Sequence, residues 1–404
     1  MTKIMKSIPL SILWIAIALI HSGHAFRTLS VNLTRSIYIA ALAALIYFVY
    51  VLTSKKMKFG TEDFIFIVSF FMVGSSYLMD GFQAGGFYRI TLAEILFAYF
   101  IIKLYSFRHV MKLYMIIMTV TSAIALVGYF LANYTNLLEF LPVYKNSNGV
   151  EYVVGIVFNY IKAIPERNCG MFWEPGLFAT HLVIAIVIEL ISKKKASFLK
   201  LLLFSVCLFT ANSSAGFVLW FLCLILYFVR SSDRGKGKYF GSFFVIGILV
   251  IALIVLLNLD YIIMNTGLKD NEYFQKLLLD NILDSSRVNA IIHNLKSFAT
   301  APLFGVGYVH SMDNIKFVAD TSTSTYLLSA FGVLGAFYTI AIIYGILRQK
   351  NVGIISKILI LIIALLIVNK EPHLQNVFTW ILIFYLVGGA SQNDLYDKEE
   401  RKAR

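Results

Sequence analysis

Charge is scarce in this 404-residue chain: Asp, Glu, Lys and Arg make up only 14% of it, while 59% is hydrophobic. That leaves too little polar side chain to coat a water-exposed surface, so the soluble globular class is excluded. Cysteine is scarce as well. Cys207 and Cys223 lie inside apolar runs and Cys169 in a loop, so no disulfide framework or paired Cys-x-x-Cys ligand set is suggested. Also missing are a phosphate-cradling P-loop, a dinucleotide glycine fingerprint and a His-Glu-x-x-His metal pair. Coupling to bound ATP and a dedicated zinc site therefore have no support, and neither a cofactor nor a metal is implied. No internal repeat is seen, which disfavours a repeat-built transporter.

What the chain has is apolar sequence in pieces of one characteristic length. A helix needs about 20 mostly apolar residues to cross the hydrocarbon core of a bilayer. Such stretches recur near 8–20, 37–53, 64–80, 88–105, 111–131, 175–191, 197–211, 215–230, 240–258, 323–347, 353–369 and 374–389. The expected fold is an all-α integral membrane protein, a single polytopic domain over 1–404 with about twelve transmembrane helices. The stretch at 197–211 is short and suits a re-entrant segment as well as a span. Lys3 and Lys6, with Gly23 and Ala25 at cleavage spacing, imitate a signal peptide, but the expectation is that this first stretch is retained.

The net charge of +13 does not point to nucleic acid, because the basic residues cluster in short connections between apolar stretches. "SKKMK", "RHVMK", "SKKKASFLK", "RSSDRGKGK" and "RQK" fall on alternate loops, on the same side as the terminal "KEERKAR". The excess of Lys and Arg on cytoplasmic loops then places both termini in the cytoplasm. Two long segments remain on the outer side, 132–174 and 259–322. Long loops with patterning of their own are where function concentrates.

In the second loop, Val288, Ile291, Ile292, Leu295, Phe298 and Ala299 recur at helical spacing, with Arg287, Asn289, His293, Asn294 and Lys296 on the other side. This predicts an amphipathic helix lying along the membrane surface, capped by Asp284, Ser285 or Ser286 and ended by a turn at Pro302, Gly305 and Gly307. The hydroxyl run Thr321 to Thr325 is expected to cap the next span.

In the first loop, "RNCGMFWEPGLFATH" places Pro175 at the first position of a helix, with Glu174 at its cap, where the macrodipole favours a carboxylate. His181 lies two turns on, on the same helix face and within the membrane, so Glu174 and His181 are expected to border a site. Arg167 at the mouth of the span, and Arg287 from the other loop, are the residues suited to bind a diphosphate bidentately. Glu94 is expected to form an ion pair, and Lys103 to extend toward the inner surface.

Four stretches, "RNCGMFWEPG", "TANSSAGFVLWFL", "SSRVNAIIHNLKSFATAPLFGVGY" and "TSTSTYLLSAFGVLG", make residues 160–350 resemble the bacterial O-antigen polymerase and O-antigen ligase superfamily. The third carries most of the resemblance: an Arg, an aliphatic helix, then the Pro-Leu-Phe-Gly-Val-Gly turn. Ligases of that superfamily usually carry a histidine where this chain has Thr323, which points to the polymerase (Wzy-type) branch, with His310 nearby as a substitute. The resemblance implies an enzyme of the bacterial inner membrane with its active site facing the periplasm. Such an enzyme joins undecaprenyl-diphosphate-linked repeat units into O-antigen or a related surface polysaccharide. It also implies roles for residues at matching positions: Arg167 and Arg287 for the diphosphate, and Glu174 as first candidate for a base, with His310 and His181 behind it. Two arginines can neutralise a diphosphate, so a metal ion is not demanded. Lipid-linked glycans, membrane lipids and a chain-length regulator are the partners implied. The alternatives are an O-antigen ligase, a lipid-linked sugar flippase or other transporter, and a membrane assembly protein whose buried charges only hold helices together.

Overall fold

The computed structural model describes residues 8–29, 31–52, 59–146, 149–192, 196–232, 247, 286–312, 319–350 and 352–389. The expected span at 240–258, the expected caps Asp284 and Ser285, and the first part of the second outer loop lie outside the described residues. The architecture is mostly helical. Among the described residues, three helices are long and apolar enough to cross a membrane, Thr61–Met79, Phe107–Tyr134 and Pro175–Ser192, and seven shorter ones are apolar. Gly85–Leu104 belongs with them in length but carries Arg89, Glu94 and Lys103.

Two expectations need correcting. The fold is not all-α, because the first outer loop folds into a three-stranded antiparallel sheet: β1 (Val143–Lys145), β2 (Glu151–Val154) and β3 (Asn159–Ile161). Aromatic and β-branched residues are concentrated in these short strands, a composition suited to a pleated, half-buried surface. The span at 323–347 is also not one helix. It breaks at Gly332, whose φ of +63° lies in the left-handed region, into Thr323–Phe331 and Val333–Leu347.

The cause of the break is the Pro-Leu-Phe-Gly-Val-Gly turn, which docks against it. Val306 N–H donates to Ser329 O and Gly307 N–H to Ala330 O, while Val333 N–H donates back to Pro302 O. The interruption therefore leaves these backbone groups paired, as a helix break within apolar surroundings requires. Gly305 adopts φ +74°, and a Cβ there would run into the Ala330 carbonyl, so the turn can approach only as glycine.

Polar contacts collect at the two ends of the helical array. At one end, Lys103 pairs with Glu62 at 2.8 Å and Asp63 at 2.6 Å, and Arg348 Nη1 donates to Val387 O at 2.7 Å. Lys103 thus ends in an ion-pair cluster. At the other end, described parts of the segments that the charge pattern assigns to the outer side meet. Trp173 N–H donates to Gly23 O, and Asn168 N–H to Thr210 O. Thr323 Oγ1 donates to Glu371 O, and Val309 N–H to an Asp80 carboxylate oxygen. A buried ion pair underlies this end: Arg27 Nη2 lies 2.8 Å from Glu94 Oε1, with side-chain exposures of 7% and 0%.

Candidate functional site

Asn168 anchors the first half of the site. Fully buried, it donates through Nδ2 to Ala125 O and Thr210 Oγ1 and accepts from Gly170 N–H, tying the loop to the body of Phe107–Tyr134 and the end of Phe198–Ala211. Gly170 follows with φ +57°, and a Cβ there would strike the Phe178 ring. Cys169 between them is buried, and burial pushes its thiol up to about 12. Held in this way, the loop delivers Glu174 to the start of Pro175–Ser192, which begins at the expected proline.

The second half comes from "TANSSAG". Asn212 takes a left-handed φ of +47° and ends one helix, and Ser213 Oγ accepts the Gly216 N–H at 3.3 Å to open the next. Between these halves lies a cleft of about 450 Å³. Its polar lining is Arg167, Glu174, Ser213, Ser214, Lys370 and Glu371, with Ile161 of β3 and Ile164 as an apolar wall.

Arg167 and Glu174, each singled out by sequence, therefore share one cavity. Arg167 Nε is buried and has no hydrogen-bond partner among the described residues. Lys370 and Glu371 were not anticipated. Both are buried, with Lys370 Nζ donating to Gly176 O at 2.8 Å and lying 3.9 Å from Glu371 Oε1. Gly176 leaves the room, since a Cβ on it would collide with the Glu371 carboxylate. The one signal for them in the sequence is "NKEPH", two opposite charges and a histidine in a very short connection between apolar runs.

The remaining expected residues sit elsewhere. His181 does not line the cleft. It packs in the core, stacked on Phe172 at 4.4 Å and beside Phe378, and its carbonyl accepts from Tyr114 Oη. The shared helix face with Glu174 is real, but His181 is only 1% exposed, covered by aromatic rings on that face. His310 lies on a short helix, Tyr308–Ser311, in a second polar cluster, its Nδ1 3.4 Å from Asp80 Oδ1. Asp80 is fully buried and also accepts from Tyr88 Oη and Val309 N–H, whereas the His310 side chain is 57% exposed. This is a carboxylate holding an imidazole open to the outside.

Between the clusters stands Asp320. Burial, and then the charge of Glu174, push its carboxyl up to about 6, and Oδ1 has no hydrogen-bond partner among the described residues. Arg287 opens the helix Ser286–Thr300, three and seven positions before the buried Ala290 and Asn294. Its side chain lies outside the described residues. That helix is the expected amphipathic one, with Ile292 and Leu295 exposed and Asn294 Nδ2 donating to Thr325 Oγ1 at 3.2 Å. The hydroxyl run does not cap the next helix as expected. Ser322 donates instead to Asn369 Oδ1, and Thr323, besides its bond to Glu371 O, accepts the His373 N–H. Thr323 is thus a strut for the Lys370–Glu371 connection.

Chemically, the cleft offers paired cations, a carboxylate at a helix start and two hydroxyls, a set suited to holding an anion beside a proton acceptor. No protein-family model, curated protein or solved structure matches the chain.

Proposed function

We propose that the chain is a membrane glycosyltransferase that polymerises undecaprenyl-diphosphate-linked oligosaccharide units into a surface polysaccharide. In this reading it works at the outer face of a bacterial inner membrane, with both termini cytoplasmic. The three long and seven shorter apolar helices, Gly85–Leu104 and the apolar stretch at 240–258 are its twelve spans. The observation that carries the reading is that Arg167 and Glu174 line one cleft, at the end of the molecule where the expected outer segments meet.

In the reaction, an acceptor sugar hydroxyl attacks the anomeric carbon of the lipid-linked chain. The new glycosidic bond forms as the bond from that carbon to the diphosphate oxygen breaks, and the electron pair leaves with the diphosphate. Arg167 stabilises the charge that develops there, and Arg287 is the second arginine assigned to the diphosphate. Glu174 takes the hydroxyl proton, and the imidazole of His310, held by Asp80, is the second group able to accept one. Orientation of two lipid-bound substrates supplies much of the acceleration.

The test is the surface-glycan ladder from a strain lacking this gene, complemented with wild type, Arg167→Ala, Arg287→Ala or Glu174→Ala at equal abundance. The null strain is expected to show lipid capped with a single unit, and the three variants to leave the ladder unrestored. A null strain whose lipid carries no unit at all would overturn polymerisation in favour of ligation or flipping. The helix break at Gly332 is a feature that a flippase would also use.

A further inference from the structure

We propose that the cleft is a diphosphate-binding site in which Lys370 is the second cation beside Arg167, and in which Glu371 positions Lys370. The choice of ligand rests on the glycosyltransferase reading. Three observations support the site. Lys370 lines the cleft although it is only 4% exposed, and a buried ammonium is costly unless something compensates it. Its bond to Gly176 O at 2.8 Å fixes where the ammonium sits, while Glu371 at 3.9 Å balances its charge from beyond hydrogen-bond length. Arg167 Nε, at the same cavity, is buried and has no hydrogen-bond partner among the described residues, which leaves a donor for a ligand.

The third observation is electrostatic. Arg167 and Lys370 are matched in number by Glu174 and Glu371, so the side chains alone leave the cleft near neutrality. Two long helices, Pro175–Ser192 and Ser214–Ser232, both begin at it, with Gly176 and Ala215 in the lining. Each N-terminus contributes roughly half a positive charge and unpaired N–H groups. The balance therefore tips toward anions, and two separate side-chain cations suit a ligand with two phosphoryl groups.

The experiment measures binding to the purified full chain in detergent of three probes that share one tail: undecaprenyl diphosphate, undecaprenyl monophosphate and undecaprenol. Wild type is expected to prefer the diphosphate over undecaprenol at least tenfold. Lys370→Met should weaken diphosphate binding by about 10- to 100-fold, the loss of one charge-assisted contact, with undecaprenol binding changed less than about twofold. Lys370→Met/Glu371→Gln, which removes the buried pair together, should show the same loss and keep the wild-type thermal midpoint. Unchanged diphosphate binding in both variants, or an equal loss for undecaprenol, overturns the assignment and makes Lys370 a packing residue. The glycan ladder separates the two readings. Binding lost with a full ladder in the Lys370→Met strain would retain the anion site and reject the glycosyltransferase. Binding retained with a ladder that still requires the gene would do the reverse.

Discussion

Removing Arg27 should damage this protein more than removing the acid it neutralises. Arg27 Nη2 lies 2.8 Å from Glu94, which is fully buried within a long helix. The same guanidinium donates to His21 O at 2.8 Å, Gln375 O at 2.6 Å and Gln375 Oε1 at 3.1 Å. Arg27→Met leaves the Glu94 carboxylate buried without its partner, a loss that costs about 3–5 kcal/mol. Glu94→Gln leaves Arg27 with its other three acceptors and an amide oxygen in place of the carboxylate, at a cost of about 1–2 kcal/mol. The double variant removes both charges, so it should be more stable than Arg27→Met alone even though it carries one substitution more. The assay is residual monodisperse protein on size-exclusion chromatography after heating in detergent. The expected order of midpoints is wild type, Glu94→Gln, double variant, Arg27→Met. A double variant that falls by the sum of the two single losses would refute the argument, because it would mean that the two charges do not interact.

Gly305→Ala should undock the turn from the helix break: a left-handed φ costs an L-residue about 1–2 kcal/mol and the clash with the Ala330 carbonyl a further 1–3 kcal/mol. The readout is protease cleavage between residues 301 and 307, expected in the variant and not in wild type, and an uncleaved variant would argue against the docked turn. Asp320 has a folded-state pKa of about 6, above the ordinary 3.8, so the native state holds its proton more tightly than the unfolded state. Its contribution is fully present below the unfolded value and is lost as pH rises through about 6, a change on the order of 3 kcal/mol. Asp320→Asn should therefore stabilise the protein at pH 7 and flatten its thermal midpoint between pH 4 and 6; a midpoint profile unaltered by the substitution would count against the raised pKa.

Single residues carried the sequence reading where a local rule applied. Pro175 starts its helix as a missing N–H predicts, and the apolar spacing from Val288 to Ala299 gives the helix Ser286–Thr300. Arg167 and Glu174 reach one cleft because only seven residues separate them, and Asn168 and Gly170 fix the path of the chain between them. Long-range pairings were not legible. Lys370 and Glu371 join the cleft from nearly 200 residues away, through bonds to Gly176 and Thr323 that no periodicity announces. Hydropathy reports what can enter a membrane, and it passed over the break at Gly332 because both half-helices are apolar. His181 misled for a related reason: helix geometry gives the face a residue shares, and the neighbours filling that face come from other segments, here Phe172 and Phe378.

The docked turn also makes the surface helix a lever with a fixed fulcrum. Ser286–Thr300 ends one residue before the first hydrogen bonds of that turn, and Arg287 opens the opposite end, about 20 Å away at 1.5 Å per residue. A tilt of 10° about the turn would sweep the Arg287 backbone through about 3.5 Å, more than the length of a hydrogen bond. Rigidity at Gly305 and Gly332 therefore sets the backbone position of a residue about four helical turns away, at the far end of a helix whose Ile292 and Leu295 are exposed.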